Sequence, residues 1–149
     1  MNILRRKFIQ GAAAMSAGLL ASQRAMAAYL ADAFEAKDVD GALNAVAGAN
    51  AHETSDQVKL KAPDIAENGA VVPVTVSSTL PNVDSISVVV ATNPSPLACT
   101  YMVPEGTQAF VSTRIKMGKT SDVVAVVRSN GKLYSATKEV KVTIGGCGG

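Results

Sequence analysis

Two thiols, one imidazole and a run of terminal glycines are the parts of this 149-residue chain with the most pointed chemistry, and the thiol at position 147 is the one placed to use it. The chain ends Gly145-Gly146-Cys147-Gly148-Gly149. A cysteine flanked only by glycine has no side-chain neighbours to pack it and no backbone preference to hold it still. Five extended residues reach at most about 17 Å, enough to carry a covalently attached group into a cleft of a neighbouring protein. A free thiol titrates near 8.5, and the chain's own carboxylate two residues on disfavours the thiolate, so the protein alone does not activate Cys147. Those properties describe a carrier whose cysteine becomes reactive inside partner sites, where cationic groups or a metal stabilise the thiolate.

Other constellations fail for want of parts. His52 is the single histidine, in the polar stretch from Asn50 to Asp56, with no Cys or His at metal-ligand spacing, and it reads as a solvated loop residue. No C-x-x-C-H haem motif, G-x-G-x-x-G or phosphate-binding loop is present. Asp64 and Glu67 read as surface charge. The second thiol, Cys99, opens an alternative: an exported binding module of immunoglobulin type in which a Cys99–Cys147 disulfide turns the tail into a staple. Against it, a staple gains most from an ordered end, and all-glycine surroundings do not supply one. Cys99 reads instead as a buried thiol behaving as a small hydrophobe. Prenylation is disfavoured too, because it takes the cysteine fourth from the end and Cys147 is third.

The elements that must position Cys147 come in two blocks. Leu30, Ala33 and Phe34 fall at helical spacing, and Asp38 can cap a second helix through Ala42, Leu43, Val46 and Ala47 that stops at Gly48. From Gln57 the period becomes two. Val58 and Leu60 alternate with lysines, Asp64 to Gly69 reads as a loop, and Val72, Val74 and Val76 alternate again. Ser85 to Ala91 is a nearly continuous apolar strand, Asn93-Pro94-Ser95-Pro96 breaks the chain, and Thr100 to Val103 forms a short strand. Gln108 to Met117 and Ser121 to Arg128 follow, Asn130-Gly131 is a two-residue hairpin signal, and Leu133 to Ala136 and Glu139 to Ile144 complete the set. Seven or eight short strands separated by turns predict a mainly β, immunoglobulin-like antiparallel sandwich with one or two short N-terminal helices and a C-terminal Gly-Gly-Cys-Gly-Gly arm. With no tryptophan and 4% aromatics, valine and alanine must do the packing.

The amino terminus reads as an export signal: Arg5-Arg6-Lys7, a weakly apolar run from Gly11 to Ala21, and the small-x-small site Ala25-Met26-Ala27. The paired arginines, the mild Ala/Gly core and Arg24 favour the twin-arginine route, although Leu4 stands where that pattern usually has Ser or Thr. The run of about eleven residues is short of the roughly 20 that span a bilayer. Removing Arg5, Arg6, Lys7 and Arg24 leaves 10 basic residues of the original 14 against 12 acidic ones, so a formal +2 becomes −2 and no basic surface for nucleic acid is expected. The expected organisation is 1–27 signal peptide, 28–50 helical segment, 51–144 β-sandwich and 145–149 swinging arm. The partner-facing surface is expected to include part of Ser85 to Ala91 or the helix at Leu30 to Phe34.

The ending Val142-Thr143-Ile144-Gly145-Gly146-Cys147-Gly148-Gly149, with the export signal and β-rich body, resembles the SoxY family, sulfur carriers of the periplasmic Sox thiosulfate-oxidising system. Supporting stretches are Asn93-Pro94-Ser95-Pro96-Leu97-Ala98, Thr113-Arg114-Ile115-Lys116 and Gly131-Lys132-Leu133-Tyr134-Ser135-Ala136. The resemblance implies a non-catalytic carrier that takes up thiosulfate on Cys147 as a cysteine S-thiosulfonate, with Gly145, Gly146, Gly148 and Gly149 as its arm. It implies a SoxZ-like subunit as heterodimer partner, and a SoxAX-type haem protein, a SoxB-type sulfate hydrolase and a SoxCD-type sulfane dehydrogenase as the enzymes visited. No cofactor, nucleic acid or stable membrane association is implied. Cys99 departs from the family pattern. A cytoplasmic persulfide relay would share the terminal thiol but not the export signal.

Overall fold

The computed structural model describes residues 31–143. Residues 31–35 are helical (α1), and α2 runs Val39–Ala47. The predicted boundaries of α2 hold. Asp38 accepts the Gly41 amide at 2.7 Å as N-cap, and Gly48 closes the helix at φ 70°, where a side chain would be strained.

Nine strands follow: β1 Glu53–Thr54, β2 Val58–Lys61, β3 Ile65–Ala66, β4 Val72–Ser78, β5 Val83–Val90, β6 Leu97–Met102, β7 Phe110–Ile115, β8 Ser121–Ser129 and β9 Lys132–Val142. They form two sheets. The larger runs β1-β9-β8-β5-β6, with β3 also on β9, and the smaller runs β2-β4-β7. Between them lies a core rich in valine and alanine, including Val72, Val74, Val76, Val88, Val90, Val123, Val127 and Val140. Each fully buried valine contributes roughly 1.5–2 kcal/mol, so many thin side chains do what a few aromatics do elsewhere.

The helices make a third layer. Ala33, Ala42 and Leu43 pack on Val89, Leu97, Val126 and Leu133, the outer face of the larger sheet. That layer corrects the expectation that Ser85 to Ala91 faces a partner. Ser85 through Val90 are buried, because β5 is central and is covered by the second sheet on one face and by helices on the other. A continuous apolar run is what two-sided burial requires. Phe34 is half-exposed while Ala33 is fully buried, and Leu30 lies outside the described residues.

The turns follow their chemistry. Asn130 and Gly131 take φ 49° and 75° and join β8 to β9 as a tight hairpin, and Asn82 at φ 47° turns β4 into β5. Two expectations change. Asp64 to Gly69 is not wholly loop, since Ile65 and Ala66 pair in parallel with Lys141 and Val142. Leu133 to Ala136 and the segment starting at Glu139 are not separate strands but parts of the 11-residue β9, which ends at Val142; Ile144 lies outside the described residues.

Candidate functional site

β9 delivers the C-terminal tail, and its last residues are held from both sides. The ladder with β8 ends where Ser121 faces Val140. Beyond it the Lys141 amide donates to the Asp64 carbonyl at 3.0 Å and the Thr143 amide to the Ala66 carbonyl at 3.1 Å. On the opposite side the Val142 amide donates to Thr120 Oγ1 at 3.0 Å. Lys138 secures the same region from below, its Nζ lying 2.6 Å from the Ala62 carbonyl and 3.0 Å from Asp64 Oδ1. Gly69 closes over the top. An ideal Cβ there would lie 2.4 Å from the Met117 carbonyl oxygen and 2.9 Å from Val142 Cγ1, so only glycine lets the two segments approach.

The candidate attachment residue Cys147 and the arm residues Gly145, Gly146, Gly148 and Gly149 lie outside the described residues. What the structure gives is their point of departure, at one end of the sandwich beside the β3–β4, β5–β6 and β7–β8 loops. Asn93 ties two of these loops together: its Nδ2 donates to the Lys116 carbonyl at 2.7 Å and its Oδ1 accepts from the Gly118 amide at 3.1 Å. Ser95 donates its hydroxyl to the Phe34 carbonyl, linking α1 to the same end. Thr120, Gly69, Asn93 and Lys138 were not legible as anchors, since each acts through partners 22–76 residues away.

Cys99 lies on edge strand β6, half-buried and unbridged, opposite Val88. Burial pushes its thiol above the ordinary value, against smaller opposing pulls from the Tyr101 side chain and the Val88 backbone. Its distance from the tail follows from the register. Val88 faces Ala125 and Ala125 faces Ala136, which sets Cys99 three strands from β9. Three strand spacings of about 4.8 Å and seven rises of about 3.3 Å from Ala136 to Thr143 place the two Cα atoms roughly 27 Å apart. Four residues from Thr143 to Cys147 span at most about 14 Å, and a disulfide bridges at most about 7 Å between Cα atoms. The staple within one chain falls about 6 Å short.

His52 is exposed but not free. Its Nδ1 lies 2.8 Å from Ser135 Oγ, which is buried and also approaches the Glu53 carbonyl at 3.5 Å. The pair fastens β1 to β9, and the serine is too enclosed to meet a substrate. Among the described residues no group of three or more His, Cys, Asp or Glu side chains is arranged to hold a metal. Two clefts among the described residues lie away from the tail: one of about 410 Å³ lined by Leu80, Val83, Pro104, Glu105 and Thr107, and one of about 320 Å³ beside His52 and Lys132.

Against known proteins, residues 43–147 match the family model described as sulfur oxidation protein SoxY. Among solved structures, the sulfur carrier protein SoxY from Chlorobium limicola f thiosulfatophilum is 43% identical, covers 72% of this chain and 97% of its own, and superposes with a TM-score of 0.65. The human F-spondin reeler domain, 12% identical over 62% of this chain and 93% of its own, has a TM-score of 0.40 and carries no argument. No curated protein matches.

Proposed function

The chain belongs to the SoxY family, and from that premise we propose that it is an exported sulfur carrier which holds thiosulfate-derived sulfur on Cys147 and presents it to partner enzymes. The observation that carries the reading is the tail itself: a lone thiol among four glycines, leaving a strand that is hydrogen-bonded on both sides up to Thr143. A fixed root followed by a glycine-rich end suits a covalent shuttle, since a tether raises the effective concentration of an intermediate at each site it can span.

In this reading the chain supplies the thiol and the reach, and partners supply the chemistry. Joining the Cys147 thiol to the outer sulfur of thiosulfate forms an S–S bond and releases two electrons and the thiol proton, the electrons passing to a haem-bearing partner of SoxAX type. Water then splits the bond between sulfane sulfur and sulfonate in a hydrolase of SoxB type, leaving a persulfide on Cys147 and releasing sulfate. A SoxCD-type dehydrogenase oxidises the remaining sulfane to a sulfonate, its three oxygens coming from water and the six electrons passing to an external electron-transfer protein, and a second hydrolysis releases sulfate and frees the thiol. A SoxZ-like subunit accompanies the carrier as its heterodimer partner. The chain acts as scaffold rather than enzyme, carries no cofactor of its own, and works in the periplasm after removal of residues 1–27, by the twin-arginine route.

The test is intact mass spectrometry of the mature protein from cells oxidising thiosulfate, beside a Cys147→Ser variant. Added masses of sulfur or thiosulfonate on the wild type, absent from the variant and lost on reduction, are expected. A wild type without adducts, lighter by two hydrogens and yielding a Cys99–Cys147 peptide, would make the tail a staple and overturn the carrier.

A further inference from the structure

β9 outlasts its antiparallel partner. Its last ladder pair with β8 is Val140 opposite Ser121, yet β9 runs on to Val142. Past that pair, successive amides point alternately to the two sides of the strand. Lys141 and Thr143 find the carbonyls of Asp64 and Ala66 on the β3 side. Val142 faces the β7–β8 loop, where a longer β8 would offer a backbone carbonyl, and it meets the Thr120 hydroxyl oxygen instead at 3.0 Å. The side chain of Val142 meanwhile lies close beneath Gly69. Thr120 is therefore the group that holds the exposed side of the strand end.

We propose that Thr120 is a positioning residue that, together with the carbonyls of Asp64 and Ala66, fixes the root of the C-terminal tail at Thr143 and so bounds how far Cys147 can reach. The importance of that reach rests on the carrier reading above; the clamp itself does not. With the root at Thr143, four residues lead to Cys147 and their extended length bounds its reach at about 14 Å. Only when the strand end opens altogether, the β3-side bonds of Lys141 and Thr143 breaking with that of Val142, does the pivot withdraw to Val140, from which seven residues reach at most about 24 Å. A longer tether is not a better one. Effective concentration at a target peaks when length matches span and falls beyond it, so a carrier that must serve several clefts of similar depth needs a defined starting point.

The experiment places nitroxides on Cys147 and on Thr137→Cys, an exposed β9 position, in a Cys99→Ser background, and compares Thr120 with Thr120→Val and Thr120→Ser. Loss of one hydrogen bond should speed exchange of the Val142 amide about fivefold. Because the bonds to Asp64 and Ala66 remain, the 137-to-147 distance distribution should keep its main peak and gain a minor population at short values as open ends become about fivefold more frequent. Thr120→Ser should restore both, and Thr120→Ala replaces the valine variant if that one does not fold. Unchanged Val142 exchange or an unchanged distribution would overturn the proposal, and so would equal acceleration along all of β9, which marks general loosening. Neither readout involves sulfur chemistry, so the clamp can fail while Cys147→Ser still abolishes adducts, and the carrier can fail while the clamp stands.

Discussion

Gly69→Ala tests whether the root of the tail is built on close packing or merely on strand pairing. Gly69 does not sit in the left-handed backbone region, so alanine suffers no conformational penalty there and the effect is steric alone. A Cβ would stand 2.4 Å from the Met117 carbonyl oxygen, about 1 Å inside ordinary contact, and 2.9 Å from Val142 Cγ1. The valine methyl can turn away. The carbonyl cannot, because the Met117 amide is bonded to the Gly69 carbonyl at 2.7 Å and the two segments move together. Overpacking of this kind costs about 1–3 kcal/mol, and the stiffer unfolded chain returns about 0.4–1, for a net loss near 1–2 kcal/mol. At about 2.1 cal/mol/K of unfolding entropy per residue, a domain of this size should lose roughly 4–8 °C in Tm. Thermal unfolding followed by circular dichroism measures it. Gly118→Ala is the control, since its Cβ meets nothing nearer than Asn93 Oδ1 at 3.9 Å. Equal midpoints for the two variants would refute the packing argument.

The two cysteines should behave as strangers. Mild oxidation of the monomer at low concentration should yield no Cys99–Cys147 peptide on digestion, because the register leaves the tail about 6 Å short; such a peptide within one folded chain would show the root unclamped. Cys99 should alkylate more slowly than Cys147 near pH 8 and gain on it as pH rises, since burial lifts its titration above the ordinary value; parity at pH 8 would contradict the burial. The same shift has a sign for stability: the neutral thiol is favoured in the fold, so this contribution is intact below about pH 9 and is lost as pH rises further. Cys99→Ala should flatten that alkaline loss in a pH series of thermal midpoints.

Sequence patterns reached the parts of this molecule whose causes are local. Asp38 and Gly48 bound α2 because a cap needs one side chain and one left-handed residue, and Asn130-Gly131 turns because both residues tolerate positive φ. β9 shows where such reading stops. The residues facing the inter-sheet core along it are Tyr134, Ala136, Lys138, Val140 and Val142, and the lysine in the middle breaks the apolar alternation, so the strand reads as two. Lys138 holds that inward place because its stem lies along the core edge while its ammonium emerges to the Ala62 carbonyl and Asp64. Its two partners lie more than 70 residues upstream, beyond any periodicity. The same distance explains the other miss. Asp64 is the surface carboxylate its residue type suggests, but its backbone carbonyl accepts the Lys141 amide and the Ile65 and Ala66 that follow pair with the end of β9, so a segment that reads as loop becomes β3 through partners more than 70 residues away. The thiol was legible because its chemistry is a property of residue type and neighbours. Its anchorage was not, because holding Val142 and Thr143 takes a hydroxyl from one loop and carbonyls from another, and only the fold brings them to the same strand end.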